Sequence, residues 1–285
     1  MSLLERTVPA ELEDQVDSPE PVATRPAGRR APILGKVPVV SVLSVLLGLA
    51  LWEVIARLEL VDPLVLPRLS ETVRRLGNDL FREHLLRDLV ATAVPFLVGT
   101  LLSVLLGSAI GAAMGASRWL DRVLGPWVLG LNAVPRIAFV SVFIVAFGLG
   151  MTSKVAVVTA TAILPMVLTM RSGVRSLDRE IMEMAASFRA PRGLILRRIV
   201  LPATTTYFVA GFRITVALAL IGEVVAEFFS SSSGIGFRLQ AASQTYDINE
   251  VYAMVLVLAV AGICSAQMVA FLERRVARWQ GTTQS

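Results

Sequence analysis

Apolar residues in this chain are gathered into blocks of about 20, the length an α-helix needs to cross a bilayer. The blocks cover roughly 37–58, 89–114, 126–149, 154–170, 203–228 and 251–272. Lipid offers backbone amides no water to bond, so each block must satisfy its own peptide groups as a helix. The sequence therefore predicts an all-α integral membrane protein with six transmembrane helices. Composition agrees: 285 residues that are 55% hydrophobic and 17% charged, with a mean hydropathy of +0.69, do not suit an ordinary soluble domain.

Residues 1–36 are rich in Pro, Glu, Asp and Arg and carry no apolar period, so they read as a disordered N-terminal tail. Glu5, Glu11, Glu13, Asp14 and Asp17 spoil a basic leader, and the first apolar run starts too late for a signal peptide. That run is expected to stay as an anchor, and residues 273–285 form a C-terminal tail.

Six spans put both termini on one side. Arginine crowds the segments of that side, at 118, 122, 171–179, 189–198 and 274–278; the opposite side holds Arg57, Arg68, Arg74, Arg75, Arg82, Arg87, Lys154 and Arg238. Cytoplasmic loops carry the excess of basic residues, so both termini are expected in the cytoplasm of a cell, or inner, membrane. Topology accounts for the basic balance, and no aromatic-interleaved basic face points to nucleic acid. One histidine, His84, and one cysteine, Cys264, leave no metal constellation and no intrachain disulfide.

Outside the spans, Leu69, Val73, Leu76, Leu80 and Leu85 recur at nearly helical spacing behind Ser70, a candidate N-cap, and predict an amphipathic helix on the outer surface. Within the spans, Gly107, Gly111 and Gly115 repeat every fourth residue, a strip where backbones can meet; packing inside the chain is favoured over a subunit contact. Pro135 and Pro165 should bend their helices. Charges in lipid need a reason. Glu53 and Arg136 lie near span ends and read as snorkelling, while Arg213, deeper in its span, either pairs with an acid or faces a polar passage. Glu223 and Glu227 share a helix face before the serines of 230–233, Gly234 and Gly236. They could line a cation path, but acids are too scarce for a proton relay, and a hydrated outer vestibule is the preferred reading.

Residues 183–202 are polar and arginine-rich yet sit between two apolar spans, so they face water and can be offered to a soluble partner. Glu183, Ala185, Ala190, Leu201 and Pro202 stand at the spacing of the Glu-Ala-Ala loop of type I ABC importer permeases. The resemblance extends to Leu66-Pro67 with Ser70-Glu71 and Val73, to Ala146-Phe147-Gly148-Leu149-Gly150 with Ser153-Lys154, and to Gly211-Phe212-Arg213-Ile214. Ala226-Glu227 with Ser233-Gly234-Ile235-Gly236, and Glu273-Arg274-Arg275 with Trp279, complete an ordered set over about 60–280. Order and spacing are most similar to the sulfonate, nitrate and taurine type.

The resemblance implies a permease fold with a cytoplasmic coupling helix, the loop spanning 171–202, and a subunit that catalyses nothing itself. Glu183, Met184, Ala185, Ala186, Arg189, Ala190, Leu201 and Pro202 would form the surface docked on a partner ATPase, which would hold ATP and Mg; this chain has no GxxxxGK[ST] phosphate loop of its own and no cofactor. A periplasmic or lipid-anchored solute-binding protein and a second permease copy would complete the importer. Arg213, Glu223 and Glu227 remain candidates for the pathway or a gate. Two residues depart from the family pattern: Met184 replaces an alanine, and Arg189 stands where glycine is usual. If that position needs positive φ, arginine is strained there by about 1 kcal/mol or more. An ion-gradient transporter is the rival, but no internal repeat of paired broken helices is visible; a non-transporting scaffold would leave the 183–202 segment unexplained.

Overall fold

The computed structural model describes residues 37–81 and 84–280, so the expected N-terminal tail lies outside the described residues. Two compact units divide between Ala50 and Leu51. The first contributes the apolar beginning of α1 (Val37–Arg57). In the second, the end of α1 is followed by α2 (Leu69–Phe81), α3 (His84–Ala116), α4 (Arg118–Ala133), α5 (Ile137–Phe147) and α6 (Met151–Arg175). Then come α7 (Arg179–Ser187), the single turn α8 (Arg192–Ile195), a π-helical turn (Leu196–Val200), α9 (Leu201–Ser230), α10 (Ile235–Gln244) and α11 (Ile248–Gln280). The described part of the expected C-terminal tail thus continues α11.

Among the described residues, α3, α6, the run 193–230 and α11 are long and apolar enough to cross a membrane. The pair α4 and α5 adds a fifth if it counts as one span, but it is bent by 105°. The span expected at 126–149, with a bend at Pro135, is therefore broken into two helices. Pro135 does this by holding Val134 in an extended conformation (φ −72°, ψ 131°), which ends α4 at Ala133. Pro165, in contrast, stays inside continuous α6.

α6 is the central helix, packed between α3 and α9. The glycine strip makes one side of this possible. A Cβ on Gly107 would stand 2.8 Å from Met166 Cβ, on Gly115 2.6 Å from Val174 Cβ, and on Gly111 2.9 Å from Met170 Cβ while also meeting the Val167 carbonyl. Packing inside the chain is thus the use of the strip, as expected. Hydroxyls in these apolar helices donate back to carbonyls four residues earlier, Thr100 to Phe96 (2.6 Å) and Ser103 to Gly99 (2.8 Å), so they are buried between the helices already satisfied.

The ends of α1 and α2 are joined by Glu53. Its carboxylate pairs with Arg57 at 2.7 Å and accepts from the Ser70 hydroxyl (2.9 Å) and amide (3.2 Å). Ser70 is therefore no N-cap: it lies inside the first turn of α2, and its hydroxyl points to α1 rather than to its own helix end.

Candidate functional site: the α7 segment and a buried charge cluster

The α7 segment ends in a turn that requires an unusual backbone. The Ala190 amide donates to the Ala185 carbonyl at 3.1 Å, and Arg189 between them has φ +50°. This is the bond pattern of a Schellman cap, in which the residue just past the helix end is left-handed and usually glycine. Arg189 occupies that place, so the strain anticipated for a positive φ is present. Ala185 is buried in the chain's own fold, whereas Ile181, Met184 and Phe188 are exposed, Phe188 at 80%. Ala185 therefore supports α7 from beneath, and the bulkier apolar side chains form the outward surface. Leu201, the first residue of α9, is exposed, and Pro202 is the second, one residue past the π-helical turn. Proline cannot donate to a carbonyl four residues back and clashes with it; the wider turn before Pro202 relieves both demands.

At the other end of α6, a charge cluster is sealed in the bundle. Lys154 Nζ lies 2.8 Å from Glu227 Oε1 and 3.2 Å from Glu223 Oε1, and donates to the Ala91 carbonyl at 2.9 Å. All three side chains are at most 5% exposed. Glu227 also accepts from the Thr92 hydroxyl (2.9 Å) and the Gly236 amide (2.7 Å). Glu223 has only the ion pair; neither of its oxygens has a hydrogen-bond partner. The vestibule expected around Glu223 and Glu227 is thus corrected: both carboxyl groups are fully buried and share a single lysine instead of facing solvent. Lys154 was expected at the outer edge of its span, and only its place beside an apolar run hinted that it folds inward.

The turn from α9 to α10 explains why its glycines are needed. Gly234 has φ +116°, and a Cβ there would collide with the Glu227 carboxylate; a Cβ on Gly236 would stand 2.9 Å from Glu227 Cβ. The bare backbone is what lets this turn close over the cluster. Its amides are used in sequence, Gly234 donating to Asp88 (2.9 Å) and Ile235 to the Thr92 oxygen (2.9 Å). Beyond the turn, Arg238 pairs with Asp79 (2.7 Å), Asp88 (3.6 Å) and Glu250, while Arg75 pairs with Asp247 (2.7 Å) and Glu250 (2.9 Å). Burial works against the Arg238 charge, but the hydrogen bond to Asp79 and the nearby carboxylates outweigh it and raise its pKa. Four helices, α2, α3, α10 and α11, are tied together by this network.

Arg213 lies elsewhere. Its side chain is 66% exposed and meets Glu273 of α11 at 3.4 Å, so of the two readings left open for it, pairing with an acid is the one observed. No group of three or more metal-ligating side chains occurs among the described residues.

A sequence model of the family described as "Binding-protein-dependent transport system inner membrane component" matches residues 103–278. The chain belongs to this family. The permease is 30% identical over 239 residues to the putative aliphatic sulfonates transport permease protein of Bacillus subtilis (strain 168), covering 82% of this chain and 85% of the relative. It is 33% identical over 239 residues to the riboflavin transport system permease protein of Chloroflexus aurantiacus, covering 84% and 89%. Among solved structures, an inward-facing form of the MetNI methionine ABC transporter superposes with a TM-score of 0.61 at 16% identity, over 69% of this chain and 97% of that one. At that identity the likeness shows the fold, which is that of a type I ABC importer permease.

Proposed function

We propose that this importer permease draws its energy from a partner ATPase docked on α7, working as one of two identical copies beside an external solute-binding protein. The observation that carries the reading is the α7 turn. A short helix outside the long apolar helices presents Ile181, Met184 and Phe188, braced by buried Ala185 and ended by a cap at Arg189. Exposed apolar side chains on a polar segment are what a protein partner would cover. Glu183, on the same helix, supplies a charge that a basic partner side chain can fix. Closure of the ATPases would move α7 and, through the helical run 193–230, bias the bundle between inward- and outward-open states.

The cargo is a small solute, and likeness to the relatives named for sulfonates and taurine favours an organic sulfonate, nitrate or similar anion. Both termini and α7 face the cytoplasm, in line with the arginine distribution. The sixth span is α1. The test is to express the chain with its ATPase and measure co-purification and ATP-dependent uptake. Glu183→Arg should abolish both while the permease still inserts; an ATPase retained at wild-type level, or uptake that persists after the ATPase is deleted, overturns the reading.

A further inference from the structure

At the same end of the bundle as α7, the start of α4 borders a cleft of about 750 Å³ whose rim is basic and whose wall is apolar. Arg118, Arg122 and Arg175 line it together with Asp121, and Leu196 and Val200 belong to the wall. Asp121 is already committed to Arg171 and Arg175. Arg118 and Arg122 have no ion pair among the described residues, although they share one face at i,i+4 in the opening turns of α4. This arrangement is electrostatically adverse twice over. Like charges four residues apart repel, and the N-terminal end of a helix carries the positive end of its dipole. Four arginines against Asp121, the one acid lining the cleft, leave the region with a surplus of positive charge.

The neighbouring surface says what kind of anion would cancel it. On α4, Trp119 is 68% and Trp127 70% exposed, with Val123 and Leu129 also exposed. Tryptophans on an otherwise apolar face are characteristic of the membrane interface, where headgroups meet acyl chains. Basic clefts between membrane helices at that level suit anionic lipid headgroups. We infer that the cleft at the α4 N-terminus binds the phosphate of an anionic phospholipid, held by Arg118 and Arg122, with its acyl chains along the exposed face of α4.

Native mass spectrometry of the purified full chain, incubated with phosphatidylglycerol or phosphatidylcholine, tests this. Phosphatidylglycerol should be retained over phosphatidylcholine. Arg118→Gln with Arg122→Gln should weaken retention by about fivefold per arginine, Arg118→Lys with Arg122→Lys should keep most of it, and Arg274→Gln with Arg275→Gln, an equal charge loss on α11, should leave it unchanged. Equal retention of the two lipids by the wild-type chain overturns the proposal even if the glutamine variant fails to fold. Equal losses in the α4 and α11 variants overturn it as well. Displacement of the lipid by millimolar inorganic phosphate would identify a site for soluble anions and overturn the lipid assignment.

Discussion

Removing the Lys154 side chain would leave Glu223 and Glu227 buried together with no cation between them. Breaking a buried pair from one side costs about 3–5 kcal/mol, so Lys154→Met should lower the thermal stability of the purified permease severely. Glu223→Gln should be close to neutral, because Glu227 keeps Lys154, Thr92 and the Gly236 amide while a carboxylate that has no hydrogen bond is removed. Equal losses in the two variants would mean that Glu223 carries more of the cluster than its contacts show. Arg189 gives a prediction of the opposite sign. Glycine has no Cβ to clash at φ +50°, so Arg189→Gly should stabilise the α7 turn by roughly 0.5–1 kcal/mol, read as a higher melting temperature. If the arginine is kept for a partner contact, the same variant will melt higher and yet hold the ATPase less well. Arg189 was the one strained position legible in the sequence, because a family pattern pointed to glycine there. Glu59 (φ 51°) and Tyr246 (φ 58°) also adopt left-handed backbone, and no glycine, asparagine or pattern betrays them.

Gly111 decides how close α3 and α6 come. A methyl group there would meet the Val167 carbonyl, which is main chain and cannot rotate away, so Gly111→Ala should push the helices apart. Overpacking of this kind costs about 1–3 kcal/mol. Gly130→Ala, where nothing lies within 4 Å of the added carbon, should be neutral or slightly stabilising. Thermal unfolding of both variants in detergent checks the contrast; similar melting curves would argue against tight packing at Gly111. The strip was readable because its period matches one helix face, and the helices themselves were readable because lipid forces helix on long apolar runs. The break between α4 and α5 was legible only as a bend. Pro135 marks the place, but how far the two halves swing depends on what they pack against, and that is not written in the local residues.

At the scale of the whole molecule, the two ends of the bundle are built differently. The end beside the α9–α10 turn is laced by Arg238 and Arg75 to carboxylates on α2, α3 and α11, and the lacing continues through Gly234 and Thr92 to the Lys154 cluster. The α7 end has a smaller tie, Asp121 with Arg171 and Arg175, joining α4 to α6 alone. None of these pairings could be read from sequence, since partners such as Arg75 and Glu250 are separated by most of the chain and each looks like an ordinary surface charge. The difference between the ends has a measurable consequence. Arg238→Gln leaves Asp79, Asp88 and Glu250 facing one another without their shared cation, so hydrogen exchange should quicken in all four helices that the network joins. Asp121→Asn removes one acid from between two arginines, and faster exchange should be confined to the start of α4 and the end of α6. If Arg238→Gln changed only α10, the network would be a set of independent contacts and not a single tie. If it sped exchange at α7 as well, the two ends would be coupled through α6 and α9, as the proposed entry of energy at α7 would require.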